Sequence, residues 1–414
     1  MRASLVNASN GDVQRAIEEV ARESYGRLVA VLAARTRDVA GAEDALADAL
    51  VSALLTWPRD GVPRSPQGWL LTAARNRLLD RIRHQQVHDL SAPSLALMMR
   101  ELEETPDPDT LPDERLKLLF VCAHPAIDPD MHTPLMLQTV LGLDAVAIGR
   151  ALVVAPKTIG QRLVRAKNKI RKARISFEIP SAKQIPERLE AVLNAIYAAY
   201  GNSWEDAAGA DHRIAELGQE AIWLARVLRD HIPDNSEVRG LLALMLHCEA
   251  RRPARRSADG RYVPLSEQDP HSWQMPLIHE AERELAAAAR MQSLGRFQIE
   301  AAIQSAHAER AFGGSTNWVA VAAFYDQLLR LAPSIGAAVA RAAAHAELHG
   351  PQAGLGLLDH LEPETSSYQP YWAVRAHLLQ QLGSAELAAE AYDRAIQLSE
   401  DAAVRHFLLE RRGC

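Results

Sequence analysis

Between Leu143 and Arg174 a short apolar segment, a tight turn and a longer basic segment follow one another. From Lys157 to Arg174 the chain carries eight Lys or Arg and no Asp or Glu. Ile159, Leu163, Ala166 and Ile170 recur at helical spacing and predict one buried stripe. Lys157, Thr158, Gln161, Arg162, Arg165 and Lys169 fall off that stripe. Cationic side chains neutralise phosphates, and Arg or Gln side chains reach base edges in a major groove. The pattern is a helix-turn-helix whose second helix suits DNA. A solvated basic helix face is the plainer alternative. Ala155 is a poor cap for that helix, and Pro156 suits its first turn.

A second polar-faced helix is predicted over 68–86. Leu71, Ala74, Leu78 and Ile82 form its apolar stripe, and Thr72, Arg75, Asn76, Leu79 and Arg83 lie on another face. That face offers cation and amide donors, although an ordinary amphipathic helix would look the same. The loop before it, 58–67, has three prolines and a glycine and cannot be helical throughout. Upstream, Asp44 and Asp48 stand one turn apart on an acidic helix, which would suit a basic protein partner or simply meet solvent.

These elements imply an all-α chain. It has 414 residues, 48% hydrophobic and only 5% aromatic. Abundant Ala and Leu favour helices over sheets. Residues 1–180 hold 24 Lys or Arg against 22 Asp or Glu, and the remainder 22 against 30. Binding to nucleic acid would therefore rest on local basic helices, and the acidic remainder reads as a protein-binding or self-packing module. Helices are predicted over 12–35, 40–57 and 68–86, so a first domain is expected at 8–88. An acidic linker follows at 89–112, and the helix-turn-helix domain spans 113–178. A helical extension covers 183–283, interrupted by a non-helical insertion at 258–273. Weak repeats fill 284–414. Tyr325 precedes Asp359 by 34 residues and Gly350 precedes Gly383 by 33. Trp372, Gly383, Ala388, Tyr392 and Ala395 occupy the packing positions of a tetratricopeptide repeat.

Several classes are disfavoured. No GxxxxGK[ST], HExxH or CxxC motif is present. No enzyme, cofactor or metal site is expected. His84/His88 and His345/His349 are pairs without a third ligand nearby in sequence, and Cys122 beside His124 reads as core. Three unpatterned cysteines suggest a reducing cytoplasm, and neither a membrane span nor a signal-peptide core is evident. Arg251, Arg255 and the rest of an Arg-rich run, with Asp259, Arg261, Gln268 and Asp269 in the insertion, offer a polar contact surface. A structured turn accounts for them better than a catalytic cluster does.

The order of these pieces resembles the extracytoplasmic-function (ECF) sigma factors of bacterial RNA polymerase. AEDALADAL, WPRDGVPRSPQGWLLTAARNRLLDRIR, and DERLKLLFVCAHPAID through RLVRAKNKIRKA carry that resemblance. ERLEAVLNAIY, EVRGLLALMLHCEARRPARR, DGRYVPLSEQD and GPQAGL extend it to a subgroup with a C-terminal tetratricopeptide-like extension. The resemblance implies two small sigma domains, core polymerase and promoter DNA as partners, and a protein regulator on the extension. It assigns reading of the −35 element to Lys157, Thr158, Gln161, Arg162, Arg165 and Lys169. The −10 element falls to Thr72, Arg75, Asn76, Leu79 and Arg83, and polymerase binding to Asp44 and Asp48. Two rivals stay open: a stand-alone helix-turn-helix regulator with a repeat-type sensor, and a scaffold whose basic helix binds acidic proteins.

Overall fold

The computed structural model describes residues 10–86, 113–152, 154–205, 212–361 and 365–413. Every regular element among them is helical, and an isolated antiparallel bridge joins Arg256 to Tyr262. The all-α expectation holds. The expected linker at 89–112 lies outside the described residues. The chain divides into two compact units, residues 1–199 and 200–414.

In the first unit, α1 (Asn10–Thr36), α2 (Val39–Asp60) and α3 (Pro66–Gln86) pack on one another around Leu28, Leu32, Leu46, Trp57, Leu70 and Leu71. The Asp38 side chain accepts from the Gly41 amide at 3.1 Å and starts α2. The sequence places the end of α2 at Trp57, but the helix runs through Pro58 to Asp60. A proline so near the end removes a single intrahelical bond, so one further turn is tolerated. Gly61, at φ 82°, then stops it.

Five more elements complete this unit. They are α4 (Arg115–Cys122), a 3-10 turn at Pro129–Met131, α5 (His132–Thr139), α6 (Ala145–Leu152) and α7 (Pro156–Lys172). Leu116, Phe120, Leu135, Met136, Leu163 and Ile170 are buried among them. The two helix groups touch directly. A Cβ at Gly26 of α1 would overlap the Val140 carbonyl oxygen just after α5, so only glycine allows that approach. The first half of α8 (Ile185–Glu205) also belongs here, and Arg188 donates to the Phe120 carbonyl at 3.4 Å.

The second unit contains α9 (His212–His231) and α10 (Ser236–Ala250), then α11 (Met275–Arg290) and α12 (Arg296–Ala308). It continues with α13 (Trp318–Leu331), α14 (Ile335–His349), α15 (Pro351–Asp359), α16 (Gln369–Gln381), α17 (Ala385–Leu398) and α18 (Ala402–Arg412). Helix α10 is buried almost all round and packs against α9, α11 and α12. From α13 onward each helix packs on the next in sequence, as hairpins stacked in series do. Gly350 and Gly383, 33 residues apart in the sequence, adopt φ of 91° and 74° after α14 and α16. Both helix ends therefore rely on positive φ at a glycine. Ala388, Tyr392 and Ala395 share one core with Tyr371 and Ala376, and Trp372 packs against it from the side.

Candidate nucleic-acid interface

Helix α7 opens as its sequence suggests, with Ala155 making no side-chain cap bond and Pro156 in the first turn. Helix α6 before it is capped by Asp144, which accepts from the Val146 and Ala147 amides at 3.0 and 2.7 Å. Ile159, Leu163, Ala166 and Ile170 are all buried. Lys157, Gln161, Arg162, Arg165 and Lys169 are exposed and Thr158 is half-buried. Among the described residues, Lys157, Arg162, Arg165 and Lys169 make no ion pair. Arg162, Arg165 and Lys169 line a cleft of about 440 Å³ together with Asp128 and Asp130. Val164, 60% exposed, stands on the same cationic face. An apolar side chain there matches the methyl group that thymine presents in a major groove. Sequence reasoning missed it, though its place off the apolar stripe was the available signal.

The remaining edge of α7 is used internally. Lys167 is buried and pairs with Glu43 of α2, and Arg171 lies 3.6 Å from Asp38. Burial pushes the Glu43 carboxyl above its ordinary range, and Lys167 pulls the other way. The basic helix is thus divided between cations held against α2 and cations left free.

Helix α3 presents Thr72, Asn76 and Arg83 to solvent. Thr72 spends its hydroxyl proton on the Gly68 carbonyl at 2.8 Å, and Arg83 pairs with Asp80 at 3.2 Å. Arg75 is half-buried, and its Nε finds no acceptor. Leu79 corrects the expectation: it is only 6% exposed and belongs to the core. Helix α3 packs against both α1 and α2, so its buried arc is wider than the single predicted stripe. Trp57 and Trp69 meet edge to face, with centroids 5.5 Å apart, bracketing the loop between α2 and α3. Trp69 is half-buried and leads into the cationic face of α3. The sequence signal for it was an aromatic beside a Pro/Gly loop in an aromatic-poor chain.

On α2, Asp44 and Asp48 are exposed, with Arg81 3.4 Å from Asp44. Val51, Leu54 and Leu55 continue that face, and Leu55 is 67% exposed. Sequence reasoning found the acids and missed this apolar patch beside them. Exposed apolar groups in a cluster mark binding surfaces.

The insertion at 258–273 contains 3-10 turns at Leu265–Glu267 and Pro270–Ser272, and another at Arg252–Arg255 precedes it. Arg310 holds it, donating to the Leu265 and Gln268 carbonyls at 2.7 Å each and lying over the Trp273 ring. Asp259 and Arg261 form an exposed pair at 2.7 Å, and Asp269 caps the last turn through the His271 amide. The Ser257 hydroxyl, and then Arg261, hold the Asp259 carboxyl below its ordinary range. Arg255 is half-buried. Two residues of the expected polar surface are not on the surface. Gln268 is buried and donates to the Val263 carbonyl at 3.2 Å. Arg251 is buried at the end of α10, because that helix is central to the unit.

Among the described residues no group of three or more His, Cys, Asp or Glu is placed to hold a metal. His345 shares Asp326 with Arg341 and stacks on His349, while His88 lies outside the described residues. Among the described residues no helix is long and apolar enough to cross a membrane.

Comparison with known proteins places these features. Residues 20–87 match the family described as Sigma-70 region 2, and residues 188–289 match a family of unknown function. An uncharacterized protein of Rhizobium meliloti (strain 1021) is 37% identical over 366 residues, covering 87% of this chain and 86% of its own. No solved structure matches. Residues 20–87 thus form a domain of the Sigma-70 region 2 family, which supports a sigma-factor role in transcription initiation.

Proposed function

We propose that this chain is an ECF sigma factor acting in the bacterial cytoplasm, with a repeat-type C-terminal extension that its activity requires. The observation that carries this reading is the free face of α7. Four cations without ion pairs sit on a helix whose opposite stripe is buried. Like charges left together repel, and phosphates offset that repulsion while releasing counterions. In this reading α7 enters the major groove of the −35 element. Arg162, Arg165 and Gln161 meet base edges, and Lys157, Thr158 and Lys169 meet the backbone.

The loop between α2 and α3 receives a base extruded from the −10 element. Unstacking costs a few kcal/mol, which stacking on Trp69 and donors from Arg75 and Asn76 offset. Thr72 and Arg83 flank that path. Asp44 and Asp48, with Val51, Leu54 and Leu55 beside them, form the polymerase-facing side of α2. The chain is a recognition subunit and catalyses no step itself. A protein regulator docking on the repeat-like hairpins is the further partner class, and the exposed Asp259–Arg261 pair is the accessible part of the insertion.

Run-off transcription with purified core polymerase tests this reading. Promoter-specific transcripts are expected from the full chain. Duplex binding without any transcript would make the protein a stand-alone regulator instead. A chain cut after Ala199, where the first compact unit ends, is expected to stay soluble and inactive. Full activity from it would show the extension dispensable. Replacing Arg75 and Asn76 together by Ala is expected to remove the permanganate-reactive bubble while closed-complex binding survives.

A further inference from the structure

Within the second unit the insertion meets the last helix, α18, at three points. Arg256, just before the insertion, donates to the Asp401 carboxylate at 3.0 Å, and both side chains are half-buried. The Tyr262 and Phe407 rings meet edge to face with centroids 5.5 Å apart. Glu267 accepts from Arg411, whose guanidinium lies 5.2 Å from the centre of the Phe407 ring. The two ion pairs join positions 145 and 144 apart in the chain. Asp401 serves twice: one carboxylate oxygen takes Arg256, and the other caps α18 through the Ala403 and Val404 amides at 2.7 and 3.1 Å.

The two sides of this contact are anchored unequally. On the insertion side the backbone turns back on itself. The Ser257 amide donates to the Arg261 carbonyl at 3.0 Å, the Val263 amide to the Arg255 carbonyl at 2.9 Å, and Gly260 takes the positive φ of 81° that the reversal needs. Arg310 then pins the Leu265 and Gln268 carbonyls, so the insertion is fixed to the region after α12 without any help from α18. Helix α18 has less to hold it. It is 11 residues long, and Leu408 is its only buried residue. Val404 and Phe407 lie beside Leu408 on the core of the last hairpin, each half-buried. A helix this short is marginal in water unless it is packed on something. One buried leucine is a thin anchor, and the contacts from the insertion must supply much of the rest.

We propose that α18 is a releasable lid on the end of the repeat-like array, and that Arg256, Tyr262 and Glu267 of the insertion are the clasp that keeps it closed. With the clasp closed, Val404, Phe407 and Leu408 cover the last core. With it open, α18 leaves as a unit and that core is bared at one end, while the insertion stays in place on Arg310. Local opening of this kind draws on the elements with the fewest buried contacts, and α18 is such an element. The device belongs to the second unit alone and stands whether or not the first unit acts as a sigma factor.

Amide hydrogen exchange of the full chain tests it, read over residues 402–412 of α18 and, for reference, over residues 236–250 of α10. Arg256→Ala with Tyr262→Ala changes no residue of α18, so faster exchange there reports the clasp and not helix propensity. At least tenfold faster exchange is expected over 402–412, with less than a twofold change over 236–250. Glu267→Arg sets two cations against each other and is expected to speed exchange in α18 about threefold. Adding Arg411→Glu restores the pair with its charges exchanged and is expected to return the rate to within twofold of the wild type. Should the Arg256 and Tyr262 variant fail to fold, Glu267→Arg and the charge exchange, both at exposed positions, carry the test. Unchanged exchange over 402–412 in the folded variants, or an acceleration shared equally by 236–250, would overturn the proposal.

Discussion

The two units treat charge in opposite ways. In the first, Lys157, Arg162, Arg165 and Lys169 stand free along α7, and their ion-paired neighbours Lys167 and Arg171 face α2. In the second, several partly buried acids hold cations within the fold. Glu284 accepts from both Arg229 and Arg239. Glu249 accepts from Tyr200, Gln219 and Arg252 at 3.2, 2.7 and 2.8 Å, and Asp401 pairs with Arg256 at 3.0 Å. Net charge therefore misleads about both halves. The nearly neutral half carries a free cationic face, and the acidic half spends much of its acid internally. A surface meant for phosphate keeps its cations unpaired, whereas a helical array needs its partly buried charges matched.

Acidification gives the largest contrast. His247 and His307 are held neutral, at about 3 and 4, while an unfolded chain takes up these protons near 6.5. The unfolded state thus binds more protons between those limits. The contribution is full above pH 6.5 and is lost as pH falls toward 4. Each tenfold difference in proton affinity between the two states is worth about 1.4 kcal/mol, so the second unit is expected to lose about 3 kcal/mol or more. Urea midpoints at pH 7 and pH 4.5 measure this, and His247→Asn is expected to flatten the slope. Equal midpoints in the wild type would break the contrast.

Glu284→Gln removes the charge partner of two arginines at once. A loss of about 3 kcal/mol is expected by urea unfolding, with promoter affinity unchanged. A loss below about 1 kcal/mol would mean that these pairs are as weak as ordinary surface bridges.

The converse change lies in the first unit. Arg162→Ala with Arg165→Ala is expected to weaken promoter binding about 100-fold and to lower the salt slope by about 2. Stability should move by less than about 0.5 kcal/mol, since exposed side chains carry little of it. Fluorescence anisotropy across a salt series reads the first effect and thermal melting the second. Retained affinity would remove α7 from the DNA interface.

Lys167→Met sharpens the division within α7. It leaves the half-buried Glu43 without its partner, and a cost of about 2 kcal/mol is expected, reduced from a fully buried pair by residual exposure. Adding Glu43→Met should recover most of it. A double variant no more stable than the single one would show that the contact acts through something other than the ion pair.

Periodicity alone determined much of this protein. The buried stripe of α7, the helices of the first unit and the all-α class follow from apolar residues recurring at helical spacing, because a helix must bury one stripe and can leave the other faces wet. The 33-residue step between Gly350 and Gly383 is also a sequence fact, and glycine is the residue that tolerates positive φ at a helix end. What periodicity leaves open is how many neighbours a helix has. Spacing puts Leu79 on an exposed face because it lies off a single stripe, and residue type puts Arg251 on a polar surface, but α3 packs on two helices and α10 on three. Exposure is a property of the assembled neighbours and not of spacing along one helix. Pairing is decided at the same level. Spacing sets Lys169 apart for the cationic face but names no partner for Lys167, which lies against Glu43, 124 positions away, while Lys169 faces solvent. Only the tertiary structure brings such distant charges within reach, and so only it divides the cations that hold the fold from those free to meet a partner.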